Sequence, residues 1–114
     1  GSNKIILCYQ KESGTNRGCV RTGTVDTSND TVSWGTETTF GGNAAGFRYG
    51  GCGQSITYDE NANKSIVIYH DNDNNYYLMA RTVTVSGTNV SVGTAITINS
   101  NGYSNKTQAR TILQ

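Results

Sequence analysis

Two matching stretches, sixty residues apart, constrain this chain more than any other feature of it. Asn3-Lys4-Ile5-Ile6-Leu7-Cys8-Tyr9 and Asn63-Lys64-Ser65-Ile66-Val67-Ile68-Tyr69 follow one pattern: an apolar, β-branched run entered through Asn-Lys and closed by Tyr. Each unit of a repeat protein buries its apolar face only against a neighbour, so the architecture must be read from the repeat. The match continues at the same offset through Arg21-Thr22 with Arg81-Thr82 and Val25 with Val85. A two-residue deletion then lowers the offset to 58. That sets Val32-Ser33-Trp34-Gly35-Thr36 on Val90-Ser91-Val92-Gly93-Thr94, and Phe40 on Ile98. Gln54 and Thr57 meet Gln108 and Thr111 at an offset of 54.

Only 15% of the 114 residues are charged and 34% are hydrophobic, so Thr, Ser, Asn and Gly carry the polar surface. That mixture favours strands and turns over helix. Four strand-like runs are expected in the second unit: Gln54–Asp59, Lys64–Tyr69, Tyr77–Val85 and Asn89–Ile98. The first unit supplies Lys4–Tyr9, Arg17–Val25, Thr31–Phe40 and, at the far end of the chain, Ala109–Gln114. Period-2 alternation is clear in Ala80–Val85 and Val90–Ile98. The runs around Lys4 and Lys64 are continuously apolar, which suits strands buried on both faces.

Four-stranded units of roughly 50–60 residues, with Gly and aromatic marks at fixed offsets, point to β-propeller blades. The expected fold is therefore all-β, with two four-stranded blades in this chain. One blade takes residues 3–40 with 108–114, from this chain or a neighbouring one; the other takes 54–98; Gly1-Ser2 reads as an expression scar. This order implies a circularly permuted propeller with strand-swapped closure. A ring needs roughly four to eight blades. Two units leave apolar faces open, so closure by a cyclic homo-oligomer is expected, a homotrimer giving six blades. The alternative is a piece of a longer tandem array.

The cysteines bear on register. A first hairpin turning at Ser13-Gly14 sets Cys8 opposite Cys19, where the second unit, turning at Asp73-Asn74, sets Ile68 opposite Met79. Two buried thiols and a cross-strand disulfide both remain open; Cys52, in a Gly-rich stretch, reads as exposed.

No catalytic constellation emerges, so the chain reads as a non-enzyme that needs no cofactor. His70 is the only histidine, and net charge is +1 with both signs scattered, which gives nucleic acid no electrostatic footprint. No apolar run approaches the roughly 18 residues of a membrane-spanning helix. Asp71, Asp73 and Asn75 open like a calcium loop, but Tyr76 stands where such a loop needs Gly and Thr82 where it needs Glu. A plain polar hairpin turn explains them as well. Arg21 and Arg81 lie mid-strand in both units. They are either inter-blade hydrogen-bonding groups or donors to a sugar hydroxyl or carboxylate. Tyr76-Tyr77, Trp34 and Phe47-Arg48-Tyr49 supply aromatic platforms of the kind that take the apolar face of a sugar.

The run Ile56-Thr57-Tyr58-Asp59, with Asn63-Lys64, Val67-Ile68-Tyr69, Asp71, Asn75, Thr84-Val85-Ser86-Gly87-Thr88 and Val90–Thr94, resembles propeller-type repeats. Such repeats recur in tandem in phage and algal-virus tail or surface proteins. In architecture the chain is also similar to small fucose-binding lectins, whose two-blade subunits trimerise into six-bladed rings. Those lectins hold sugars between blades with Arg, Glu and Trp. The resemblance implies a multivalent glycan-binding protein of an extracellular or virion surface, with Arg21, Arg81, Trp34, Glu37, Tyr76, Tyr77, Arg48 and Tyr49 as ligand-binding candidates. Trp34 aligns with Val92 and Glu37 with Ala95, so at most one type of site per chain is implied. A structural or protein-interaction repeat without a small ligand is the other reading.

Overall fold

A computed structural model describes residues 3–11, 17–40, 55–71, 75 and 77–100. These residues form nine β-strands and no helix. β1 (Lys4–Lys11), β2 (Arg17–Asp26), β3 (Thr31–Trp34) and β4 (Thr38–Phe40) make one antiparallel sheet. β5 (Ser55–Asp59), β6 (Lys64–Asp71), β7 (Tyr77–Ser86), β8 (Asn89–Val92) and β9 (Ile96–Asn99) make the other. β3 and β4 pair in succession with β2, and β8 and β9 do the same with β7. Thr31–Phe40 and Asn89–Ile98 are therefore each broken once, at the matching Gly35-Thr36-Glu37 and Gly93-Thr94-Ala95. Ala109–Gln114 and Cys52 lie outside the described residues, as does the link from Phe40 to β5.

The repeat reaches down to single torsions and hydrogen bonds. Asn3 and Asn63 both take φ 52°. Asn tolerates this left-handed conformation better than most residues, which gives each Asn-Lys pair its reason. The lysines then reach across one strand, Lys4 Nζ donating to Thr24 Oγ1 at 2.6 Å and Lys64 Nζ to Thr84 Oγ1 at 2.9 Å. At the strand breaks, the amide of Gly35 donates to the Thr22 carbonyl and that of Gly93 to the Thr82 carbonyl, both at 2.8 Å. Turns are tied by their own acidic side chains. Asp26 Oδ1 accepts from the Ser28 amide at 2.9 Å, and Asp59 Oδ1 from the Asn61 amide at 2.9 Å.

The register differs from expectation by one residue. Cys8 faces Val20 and Tyr9 faces Cys19; Tyr69, not Ile68, faces Met79. Directly opposed residues share a face of the sheet, so Cys8 and Cys19 belong to opposite faces, and no disulfide joins them. The cause is the connection: Lys11 pairs with Arg17 and Asp71 with Tyr77, leaving five residues between partners where a two-residue turn was expected. An odd-numbered loop shifts the pairing by one and exchanges every face.

Each sheet thus has a Tyr face, with Tyr9 or Tyr69, and a back face, with Ile6 or Ile66. The back face of the first sheet stacks on the Tyr face of the second. Val20 and Phe40 meet Val67, Tyr69, Met79 and Val83 in one buried cluster, with Ile6 and Cys8 packed beside it. The rings of Phe40 and Tyr69 lie edge to face, 5.0 Å apart at 68°. Thr38 Oγ1 donates to the Val90 carbonyl at 2.9 Å, fixing the two sheets' relative slide. Burial on both faces, expected of both apolar runs, fails for β1: Ile5 is 42% and Leu7 43% exposed. Their counterparts Ser65 and Val67 are buried because the first sheet covers them, whereas the Tyr face of the first sheet is open at Ile5, Leu7, Val32 and Trp34 and closed over Cys19.

Candidate functional site

The Tyr face of the first sheet gathers apolar, aromatic and charged side chains among the described residues. Alternation along β1 puts Ile5, Leu7 and Tyr9 on it, and their partners Gly23, Arg21 and Cys19 follow. Across the next pairing, Gly23 meets Trp34 and Val25 meets Val32. A Cβ on Gly23 would come within 2.8–2.9 Å of Ile5, Trp34 and Val32, so those three side chains fill the space glycine leaves. The second sheet has Val83 opposite Val92 at the same place. One large and one vanishing side chain thus replace two medium ones across the strands.

Glu37, in the break after β3, anchors the polar end of this face. It accepts a short hydrogen bond from the Tyr9 hydroxyl and an ion-paired one from Lys11 Nζ at 2.9 Å. These two donors hold the Glu37 carboxyl below its ordinary value of 4.5. Partial burial and the bond to Glu37 together push the Tyr9 phenol up to about 12. A depressed carboxyl stabilises the fold above its unfolded-state range, and that contribution is lost as pH falls through the lower folded value. Tyr9→Phe removes the first of the two donors, so the Glu37 titration followed by NMR is expected to move up toward 4.5. An unmoved titration would show that the hydroxyl does not donate in solution.

Arg21 and Arg81 act within their own sheets. Arg21 Nε donates to the Gly35 carbonyl at 2.9 Å, and Arg81 Nη1 to the Gly93 carbonyl at 3.0 Å. Arg81 Nε also donates to the buried Tyr69 hydroxyl at 2.8 Å. The expected inter-blade bond is therefore replaced by a clamp on the adjacent broken strand. Both guanidinium groups spend part of their donor fork on backbone.

Arg21, Trp34 and Glu37 come together on the open face, while Arg81 lies on the covered face of the second sheet. Tyr77 opens β7 opposite Asp71 and packs against the core. Tyr76, Arg48 and Tyr49 lie outside the described residues. So does Asp73; Asp71 is buried as the last residue of β6, and Asn75 is exposed with φ 54°. An Asp71 carboxylate built into a strand end does not present itself as a loop ligand. Among the described residues no group of three His, Cys, Asp or Glu is placed to hold a metal ion. Burial, with the nearby Cys19, pushes the Cys8 thiol up to about 12, which keeps it protonated and a poor nucleophile.

Sequence reasoning missed Tyr9 and Lys11 as partners of Glu37. Tyr9 carried a signal, being repeated as Tyr69, but its open surroundings depend on which face the other sheet covers. Comparisons with family models, with curated proteins and with solved structures found no match to this chain.

Proposed function

We propose that this chain is a non-enzymatic protein-interaction repeat of the β-propeller type, its two sheets being blades that work by stacking on further sheets. One observation carries the reading: the Tyr face that is covered in the second sheet stands open in the first. Ile5, Leu7, Val32 and Trp34 are each 40–44% exposed there. A contiguous apolar patch of this kind marks a docking surface more often than a bare one. The two arginine clamps support the same reading, since they shape broken strands and leave less of the guanidinium for a ligand.

Replacing Ile5 and Leu7 together by Ser tests it, with solution mass and binding of an apolar fluorescent dye as readouts. The wild-type chain is expected either to exceed the mass of one chain or to bind dye through the open face. The double variant is expected to do neither while keeping its β circular dichroism. If it matches the wild type in both readouts, the reading fails.

A glycan-binding reading has its own observation: Trp34 is 44% exposed on the face that also carries the ionised Glu37. An aromatic platform that shares a face with a carboxylate suits a neutral sugar. Glycan-array binding lost on Trp34→Ala would support it, and an empty array would remove it.

A further inference from the structure

The break between β3 and β4 works on both sides of the first sheet within four residues. On the stacked side, Gly35 presses on the Thr88 carbonyl, and Thr38 Oγ1 donates to the Val90 carbonyl at 2.9 Å. Between those two residues, Glu37 accepts from the Tyr9 hydroxyl and from Lys11 Nζ at 2.9 Å, both on the Tyr face. Arg21 Nε holds the start of the break by donating to the Gly35 carbonyl at 2.9 Å. One peptide unit therefore separates a carboxylate held on the Tyr face from a hydroxyl held in the stack. Phe40, two residues further on, is buried against Tyr69 of the second sheet.

The repeat supplies a comparison inside the same chain. The second sheet makes its break with the same parts: the Gly93 amide donates to the Thr82 carbonyl, and Arg81 Nη1 donates to the Gly93 carbonyl. At the places of Glu37 and Thr38 it has Ala95 and Ile96, and Ile96 is 65% exposed. Its tyrosine, Tyr69, takes a hydrogen bond from Arg81 Nε. Glycine and arginine thus suffice to break and clamp the strand. The carboxylate and the hydroxyl belong to the break that rests on the other sheet.

We propose that Glu37 is an acid-sensitive positioning residue for the stack: ionised, it holds the break so that Thr38 meets Val90, and protonated, it slackens that bond. Coupling between two sites needs a physical path, and this one is a single peptide unit long. Protonation removes the charge that Lys11 pairs with and turns one oxygen into a donor, so the two hydrogen bonds must rearrange. Among the described side chains, Tyr9 and Lys11 of β1 and Cys19 and Arg21 of β2 are the titratable and charged groups that act on Glu37. β4 and β8 carry none. The donors favour the ionised form, so the held state prevails above 4.5 and is lost as pH falls through the lower folded value. The inference goes beyond the interaction reading above and does not depend on it.

Carbon-13 NMR of the backbone carbonyls tests it in the intact chain. The Val90 carbonyl shift is expected to change in one step, with the midpoint of the Glu37 carboxyl, below 4.5. Glu37→Gln is expected to abolish the step. Thr38→Val is expected to abolish it while Glu37 still titrates, and Thr38→Ser, which keeps the hydroxyl, to retain it. A Val90 carbonyl that ignores the Glu37 titration overturns the proposal. So does a step that survives Thr38→Val, since it would be a field effect through space. Tyr9→Phe replaces Glu37→Gln if the latter loses its β circular dichroism. The Glu37 and Val90 midpoints are then expected to rise together, and a Glu37 midpoint that moves alone overturns the proposal.

Discussion

Gly35→Ala is expected to pry the two sheets apart. A Cβ at this position would land on the carbonyl oxygen of Thr88, in the turn between β7 and β8 of the opposite sheet. Backbone cannot rotate out of the way as a side chain can, so either the strand break or the whole stack must shift. Overpacking of this kind typically costs about 1–3 kcal/mol, and a collision with backbone belongs at the upper end. The matching Gly93→Ala meets the hydroxyl of Thr82, a side-chain atom of its own sheet. It is expected to cost less and to leave the stacking intact. Urea denaturation of both variants checks the pair, with the larger fall in midpoint expected for Gly35→Ala. Equal falls would mean that the close approach of Gly35 to Thr88 is not what fixes the sheets.

That contrast also shows where the sequence is informative and where it stops. Gly35 and Gly93 are matched in the alignment of the two repeats, and both mark a strand break stitched by the same amide bond. The alignment cannot tell that one glycine is pressed against a neighbouring sheet while the other faces its own strand. The difference arises from stacking, which the repeat makes unequal: the first sheet covers the Tyr face of the second, whereas Ile5, Leu7, Val32 and Trp34 on the Tyr face of the first are exposed. Asn3 and Asn63 were legible for the opposite reason. Their role is a local torsion, and local torsions are written in local residues.

Register was the weaker inference, and its failure has a definite source. Ser13-Gly14 is a strong turn signal, but a turn signal fixes a place in the chain and not the number of residues left unpaired. Five residues between the last partners, in place of two, move Cys19 from Cys8 to Tyr9. The candidate site inherits the same limit. Arg21, Trp34 and Glu37 were singled out by resemblance and do share a face. The donors that hold Glu37 come from a strand far off in sequence, and their side of the sheet was settled only by the true register.

Phe40→Ala and Ile98→Ala, at matched positions of the two repeats, are expected to differ most of any such pair. Phe40 is 4% exposed and stacks edge to face on Tyr69 between the sheets. Truncating a buried phenylalanine to alanine costs about 3–5 kcal/mol through lost transfer energy and the cavity left behind. In a chain whose stability falls within the usual range of about 5–15 kcal/mol, that is a large fraction of the total. Ile98 is 50% exposed, so in a single chain its truncation is expected to stay within about 1 kcal/mol. Urea denaturation of the two variants checks the contrast, with a large fall in midpoint expected for Phe40→Ala and almost none for Ile98→Ala. Equal falls would mean that the contact of Phe40 with Tyr69 is not what holds the sheets together.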